Sequence, residues 1–211
     1  KGESRFDATP RQAQEEGLHY SVSEQFKVLA KPALAWWLEN ELAKAAYAEP
    51  PAEGESEKDC IRRWRAARYR STGGPAELGS SIHAEIEKVL LGASIESCPD
   101  HLRKFVDPAI RYCEDKGFKA DKVEEIVVSN EHGFAGTADM LGHAMGGQPF
   151  VLDWKSKKTT PGKTVQPYPE NRWQLASYAV AAYGEDRVLA HEIWGCNCFL
   201  STTETGDDGL A

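Results

Sequence analysis

The segment from Val123 to Trp154 is rich in β-branched residues and is divided by glycine-containing turns, whereas the chain before it has mostly helical periodicity. Several strands in succession, followed by one more helix and one more strand, predict a mixed sheet flanked by helices. We therefore expect an α/β fold. The predicted strands cover about 123–129, 133–145, 149–154 and 192–199. The predicted helices begin near 24, 33, 56, 76, 100 and 169, with a break at Gly73, Gly74 and Pro75.

The length and composition favour one domain. The chain has 211 residues, of which 41% are apolar, enough to build a sizeable core. No apolar run approaches the roughly 20 residues that span a bilayer, and no basic-then-apolar leader is present, so we expect neither a membrane span nor a retained signal peptide. We divide the chain into a flexible arm, an N-terminal helical part, a core and a flexible tail, which cover residues 1–20, 21–75, 76–200 and 201–211.

The charge and the cysteines limit the class of protein further. Lys and Arg number 25 and Asp and Glu number 33, so the net charge is −8. This excludes a wholly basic coat for nucleic acid but not a nucleic-acid enzyme, because the local field at a cleft matters more than the sum. An odd, scattered set of cysteines indicates reduced thiols in an intracellular, cytoplasmic protein. The five are Cys60, Cys98, Cys113, Cys196 and Cys198.

An apolar strand that ends in an acid and a base is the first candidate functional feature. In the run VLDWK, Asp153 and Lys155 share one face of the strand and Trp154 lies on the other. Burying such a pair costs several kcal/mol unless another group compensates. A divalent cation held by carboxylates is one such compensation. The competing interpretation is an ordinary ion pair at the exposed end of a strand.

The length of the preceding hairpin loop places a second carboxylate. If only Gly146 and Gly147 form the loop, Asp139 falls opposite Trp154, on the wrong face. If Met145 joins them in a three-residue loop, Asp139 lies opposite Asp153, and Thr137 lies opposite Lys155. Directly opposite side chains are roughly 5 Å apart at Cβ. Two carboxylates at that separation suit one hard cation, Mg²⁺ or Mn²⁺, and such a site suits phosphodiester hydrolysis.

These motifs resemble a known family. Asp139 followed by Asp153-Trp154-Lys155 resembles the signature of the PD-(D/E)XK nucleases. Further matches resemble the RecB-like and phage-type exonuclease branch, including the mitochondrial genome maintenance exonucleases. They are a GxxxH motif at Gly79 and His83, a QxxxY motif at Gln174 and Tyr178, and an upstream acid at Glu125. The opening SVSEQFKVLAKPALAWW is also similar to phage-type members, and the resemblance covers most of residues 21–199.

The resemblance implies a fold, a cofactor and a set of roles. The fold is a restriction-endonuclease-like core with an N-terminal helical extension, and the activity is Mg²⁺- or Mn²⁺-dependent hydrolysis of DNA. The metal ligands implied are His83, Asp139, Asp153 and the backbone carbonyl of Trp154. Lys155 orients the attacking water or stabilises charge at phosphorus, and Glu125, Gln174 and Tyr178 complete the catalytic set. We expect an exonuclease that acts on DNA ends or single strands, encoded by a phage or used in recombination, replication or repair.

Several alternatives remain open at this stage. His83 lies beside an apolar helical stripe and is also explained as a half-buried structural histidine. Glu124 and Glu125 are adjacent, so only one of them faces the site, and Tyr178 is also explained by core packing. An endonuclease of the same superfamily and a non-catalytic DNA-binding protein are the competing functions. An iron–sulfur enzyme is disfavoured, because only Cys196 and Cys198 are grouped near the C-terminus.

Two basic segments are candidates for phosphate contacts. One is a helix end where arginines alternate with Trp64 and Tyr69, and the other is a loop after Lys155 that contains no acid through residue 169. Phosphate contacts position DNA without reading its sequence, whereas the aromatic residues are candidates for base stacking. A solvated basic face is the competing interpretation. The predicted DNA contacts are Arg62, Arg63, Arg65, Arg70, Lys157, Lys158 and Lys163.

Overall fold

The computed structural model describes residues 17–26, 31–160 and 162–203, and the predicted arm and tail lie largely outside these ranges. The helices are α1 (Val22–Gln25), α2 (Pro32–Ala48), α3 (Glu57–Leu90), α4 (Asp100–Asp115), α5 (Pro169–Tyr183) and α6 (Glu185–Leu189). The strands are β1 (Tyr20–Ser21), β2 (Lys119–Ser129), β3 (Phe134–His143), β4 (Pro149–Lys157) and β5 (Trp194–Ser201). No helix among the described residues has the length and apolar character that crossing a membrane requires.

The five strands form one mixed sheet, as predicted. β3 pairs antiparallel with β2 and with β4, and its first two residues pair parallel with β1. β4 and β5 are parallel, because the chain returns through α5 before it enters β5. The α/β class and the restriction-endonuclease-like arrangement of sheet and flanking helices are therefore confirmed.

The interior of the sheet explains the apolar run in β4. Phe150, Val151, Leu152 and Trp154 are all buried, which is the pattern of a strand covered on both faces. Helix α4 buries one side of its surface, and α5 packs Leu175, Tyr178 and Ala179 in a core cluster with residues of β2, β3 and β4. Each fully buried large apolar side chain contributes about 1.5–3 kcal/mol of transfer free energy, so this core holds β4 firmly.

Some predicted element boundaries need correction. The predicted break at Gly73–Pro75 is wrong, because α3 runs without interruption from Glu57 to Leu90. A proline inside a helix removes one backbone hydrogen bond, and here the regular structure on both sides outweighs that loss. β2 begins at Lys119 and β4 extends to Lys157, so both are longer than predicted. The short helix α6 was not predicted.

The chain divides into two compact units. The smaller comprises Leu29–Ile82, and the larger contains the sheet, α4, α5 and the last residues of α3. The division falls inside α3, between Ile82 and His83, a few residues beyond the boundary suggested by Gly73–Pro75. All the residues of the candidate site described next, from His83 onwards, belong to the larger unit.

Candidate metal-dependent active site

Asp153 and Lys155 form a buried ion pair near the end of β4. Asp153 is 2% exposed, and its Oδ2 lies 2.6 Å from Lys155 Nζ. Lys155 is the close partner of this buried oxygen, and among the described residues no further donor reaches it. A buried carboxylate with a single cationic partner is costly, and its remaining lone pairs suit it to bind a cation.

The predicted hairpin register brings Asp139 to the same place. Ala144 N donates to Gln148 O at 2.8 Å, which encloses a three-residue loop of Met145, Gly146 and Gly147. The strand pairs run from His143↔Pro149 to Met140↔Leu152 and stop one residue before Asp139 and Asp153. The three-residue loop is thus confirmed.

Beyond that last pair, the Asp139 side chain takes the place of a backbone hydrogen-bond acceptor. Trp154 N donates to Asp139 Oδ2 at 2.7 Å, so the carboxylate occupies the position of a strand acceptor. Thr137 and Lys155 do not pair, because the two strands separate here. The two aspartates therefore lie at the point where β3 and β4 stop pairing and separate.

Three side chains from different elements meet beside this point of separation. His83 from α3, Glu124 from β2 and Asp139 from β3 each offer a ligand atom, and these atoms lie within 4.8 Å of one another. His83 Nδ1 is 3.6 Å from Asp139 Oδ2. All three residues are half-buried. One imidazole and two carboxylates, with Asp153 next to them, form a donor set that fits a divalent cation such as Mn²⁺ or Mg²⁺.

The environment of the site disfavours the charged form of its acids and raises their pKa values. Burial, together with the negative charge of Asp153, raises the pKa of Asp139 to about 7, although the Trp154 N–H opposes this shift. Burial also raises the pKa of Asp153, against the opposing effect of Lys155. The pKa of Glu124 is raised by burial and by the charges of Glu87 and Asp153. Clustered carboxylates with raised pKa values are typical of functional sites.

His83 is suited to ligation for the opposite reason. Burial lowers its pKa, the positive charge of Lys155 adds to the effect, and a hydrogen bond to the Trp154 backbone opposes it. The imidazole is therefore neutral at physiological pH, which is the form that binds metals.

A hydrogen-bonded chain fixes Lys155 from the side of α5. Lys155 Nζ donates to Gln174 Oε1 at 3.1 Å, and Gln174 Nε2 donates to Tyr178 Oη at 2.9 Å. Tyr178 is only 5% exposed and belongs to the core cluster, so it is both a packing residue and the end of this chain. A Cβ added at Gly136 would lie 2.5 Å from the Tyr178 ring. The second glycine of GFAGTAD is therefore explained by the close approach of this ring.

The structure brings Glu124 to the site instead of the predicted Glu125. Glu125 is half-buried, and its Oε1 lies 2.7 Å from Lys122 Nζ rather than in the site. The pairs Val123↔Met140 and Glu125↔Ala138 enclose Glu124, which therefore lies across from Asp139. The family pattern suggested Glu125. A loop count like the one used for β3–β4 would have selected Glu124, since four residues separate Ser129 from Phe134.

The predicted arginine contacts have different environments within the smaller unit. The Arg63 guanidinium donates to Glu49 and Glu55 at 2.8–2.9 Å and to the carbonyls of Glu49 and Pro50. These partners raise its pKa above its usual value and occupy its N–H donors within the protein, which favours a structural role over the predicted phosphate contact. Arg62 pairs with Asp59 at 2.8 Å, and Arg65 is exposed. The Arg70 side chain lies outside the described residues.

The lysines after Lys155 lie in the larger unit. Lys157 Nζ donates to Gln166 O at 3.0 Å and lies 4.6 Å from the centroid of the Tyr168 ring. Lys158 and Lys163 are exposed. These three residues remain predicted DNA contacts.

The cysteines are all free thiols. Cys196 Sγ and Cys198 Sγ are 3.5 Å apart on β5. The hydrogen bond from Cys198, followed by one from Tyr112, lowers the pKa of Cys196 to about 7, against the effect of burial. Burial raises the pKa of Cys113 to about 12.

Comparison with known families agrees with this geometry. The sequence model of the PD-(D/E)XK nuclease superfamily matches residues 41–196, about three quarters of the chain. The chain belongs to the PD-(D/E)XK nuclease superfamily. A search of curated proteins gives no match. Membership implies a metal-dependent nuclease with DNA as its substrate.

Proposed function

We propose that the chain is a Mg²⁺- or Mn²⁺-dependent deoxyribonuclease of the RecB-like, phage-type branch, and that it acts as an exonuclease on DNA ends or single strands. The observation that carries the proposal is the convergence of His83, Glu124 and Asp139 beside the buried Asp153–Lys155 pair. The order of the GxxxH, D…DxK and QxxxY motifs supports the branch.

In this proposal the residues of the site hold the cation and prepare the attack on phosphorus. The proposed ligands are His83, Glu124, Asp139, Asp153 and the Trp154 backbone carbonyl. When bound, a divalent cation supplies Lewis-acid activation of water and charge screening at the phosphate. Lys155 orients the attacking water and stabilises the charge that builds on the phosphate oxygens. Gln174 holds Lys155 in place and is itself held by Tyr178.

A digestion assay tests this function. The substrates are linear and circular DNA, each single-stranded and double-stranded, with Mg²⁺, Mn²⁺ or EDTA. We expect nucleotides to be released from linear DNA with either metal and from no substrate with EDTA. Cleavage of circular DNA would contradict the exonuclease assignment and favour the endonuclease. Binding without cleavage in every condition would favour the non-catalytic DNA-binding protein.

A further inference from the structure

Tyr168 is an exposed aromatic residue on a rigid backbone. The residue is 54% exposed, and it lies between Pro167 and Pro169 at the start of α5. Its N–H donates to Asn171 Oδ1 at 2.8 Å, and its carbonyl accepts from Asn171 N at 3.0 Å. Asn171 is buried, so the anchor is firm. Flanking prolines restrict the backbone further, which lowers the entropy lost when the ring binds a partner.

One side of the Tyr168 ring carries a positive charge. Lys157 Nζ lies 4.6 Å from the ring centroid, within the range of a cation–π interaction, and the hydrogen bond to Gln166 O holds it there. The exposed area of the ring is thus mainly on its other face and edge. Lys157 keeps further N–H donors for an anion, because an ammonium group has three.

This pair lies next to the candidate site. Lys157 follows Lys155 by two residues in a regular part of β4, so both side chains lie on one face, roughly 7 Å apart along the strand. Residues 154–169 contain no acid, so the local charge between Lys155 and Tyr168 is positive. A positive, aromatic surface beside a phosphodiester site suits a nucleotide.

We propose that Tyr168 and Lys157 form a subsite for an unpaired nucleotide next to the scissile phosphate, with the base stacked on Tyr168 and its phosphate near Lys157. The inference rests on the proposed nuclease function, which puts the scissile phosphate at Lys155. A base inside a duplex has both faces covered by its neighbours, whereas an unpaired base has a free face for the tyrosine. The subsite therefore selects a single strand at the point of cleavage.

The test measures DNA binding by full-length protein that carries Asp153→Asn, so that the substrate stays intact. We expect Tyr168→Ala to weaken binding of a labelled oligothymidine by about 5- to 150-fold, the range for loss of one stacked base. Tyr168→Phe should retain the affinity. Binding of a covalently closed circular duplex, which has no unpaired base, should be the same with and without Tyr168→Ala. Tyr47→Ala is the matched control, because Tyr47 is 93% exposed in α2 and should not affect either ligand.

A base-free probe separates stacking from charge. An oligomer of abasic sugar–phosphate units should bind equally to proteins with and without Tyr168→Ala, because no base is present to stack. Lys157→Ala should weaken binding of both oligomers. It should also lower the salt slope, the steepness with which log affinity falls with log salt concentration, by about 0.7, because one phosphate contact is lost. An oligothymidine affinity that does not change on Tyr168→Ala substitution would overturn the subsite. Failure of the nuclease function appears separately, as the absence of digestion by the wild-type protein.

Discussion

Lys155 and Arg63 are both cations paired with carboxylates, and each lowers the pKa of its partner, but the net pKa shifts of the two acids have opposite signs. Hydrogen bonds from Arg63 and from the Ala52 N–H lower the pKa of Glu55 to about 2, so this network favours its charged form. At the end of β4, burial raises the pKa of Asp153 even though Lys155 lies 2.6 Å away. The difference fits a hydrogen-bonded structural network around Arg63, whereas under the proposed function a divalent cation would offset the cost of burying charged Asp153.

The largest expected effect comes from Asp153→Asn. Cleavage should fall by about 1000-fold or more, because the amide keeps the shape but removes a ligand charge worth several kcal/mol in the transition state. The melting temperature should stay the same or rise, because a neutral amide replaces an unfavourably buried anion. Cleavage at the wild-type rate, measured as acid-soluble nucleotide release, would refute the site.

Substitution of Lys155 should give the next largest effect. Lys155→Met keeps the aliphatic stem and removes the charge, so we expect a loss of about 100- to 1000-fold in kcat with little change in metal affinity. Gln174→Ala should lower kcat by a smaller factor, because it only frees Lys155 to move. If Lys155→Met abolished metal binding in a calorimetric titration, Lys155 would be a structural partner of the ligands instead.

Glu124 and Glu125 offer a matched pair of substitutions. Glu124→Gln should weaken Mn²⁺ binding by about 10-fold or more, because it removes one charged ligand of the cation. Glu125→Gln should leave binding unchanged, because Glu125 only pairs with Lys122 at the surface. Calorimetric titration of both variants decides between them. The reverse result would restore the original assignment from the family pattern.

The stability of the metal-free protein should depend on the protonation of Asp139. Its pKa is raised from 3.8 to about 7 in the folded state, so the stability it contributes is complete below about pH 4 and is lost as the pH rises to about 7. Three pH units correspond to at most about 4 kcal/mol. Urea denaturation in EDTA should show a larger loss in the wild type than in Asp139→Asn, in which Asp153 and Glu124 still have raised pKa values.

Metal addition is the control for this effect. At pH 8, Mn²⁺ should restore the stability of the wild type, because a bound cation compensates the charged carboxylates. The same addition should stabilise Asp139→Asn less. If the stability of the two proteins depended on pH in the same way in EDTA, the pKa of Asp139 would not be raised by folding.

The parts of this site that the sequence predicts are those governed by short-range geometry. Strand alternation and one loop length were enough to bring Asp139 to Asp153, and the same count over the four residues before Phe134 identifies Glu124. The partners of Arg63 could not be predicted, because Glu49 and Glu55 meet it through the conformation of a loop. Helical propensity likewise failed at Gly73–Pro75, where local preference is overridden by the rest of α3.

The smallest expected effect comes from Arg63→Ala. It should lower the melting temperature, because two backbone carbonyls and two carboxylates each lose one donor, and it should leave kcat unchanged for the folded protein. Arg62→Ala is the matched control, because Arg62 makes a single exposed pair with Asp59 and should have almost no effect on melting. DNA binding by Arg63→Ala should keep the wild-type salt slope, because Arg63 is already paired within the protein. A slope lower by about 0.7 to 0.9 would instead make Arg63 a phosphate contact and remove the contrast with Lys155.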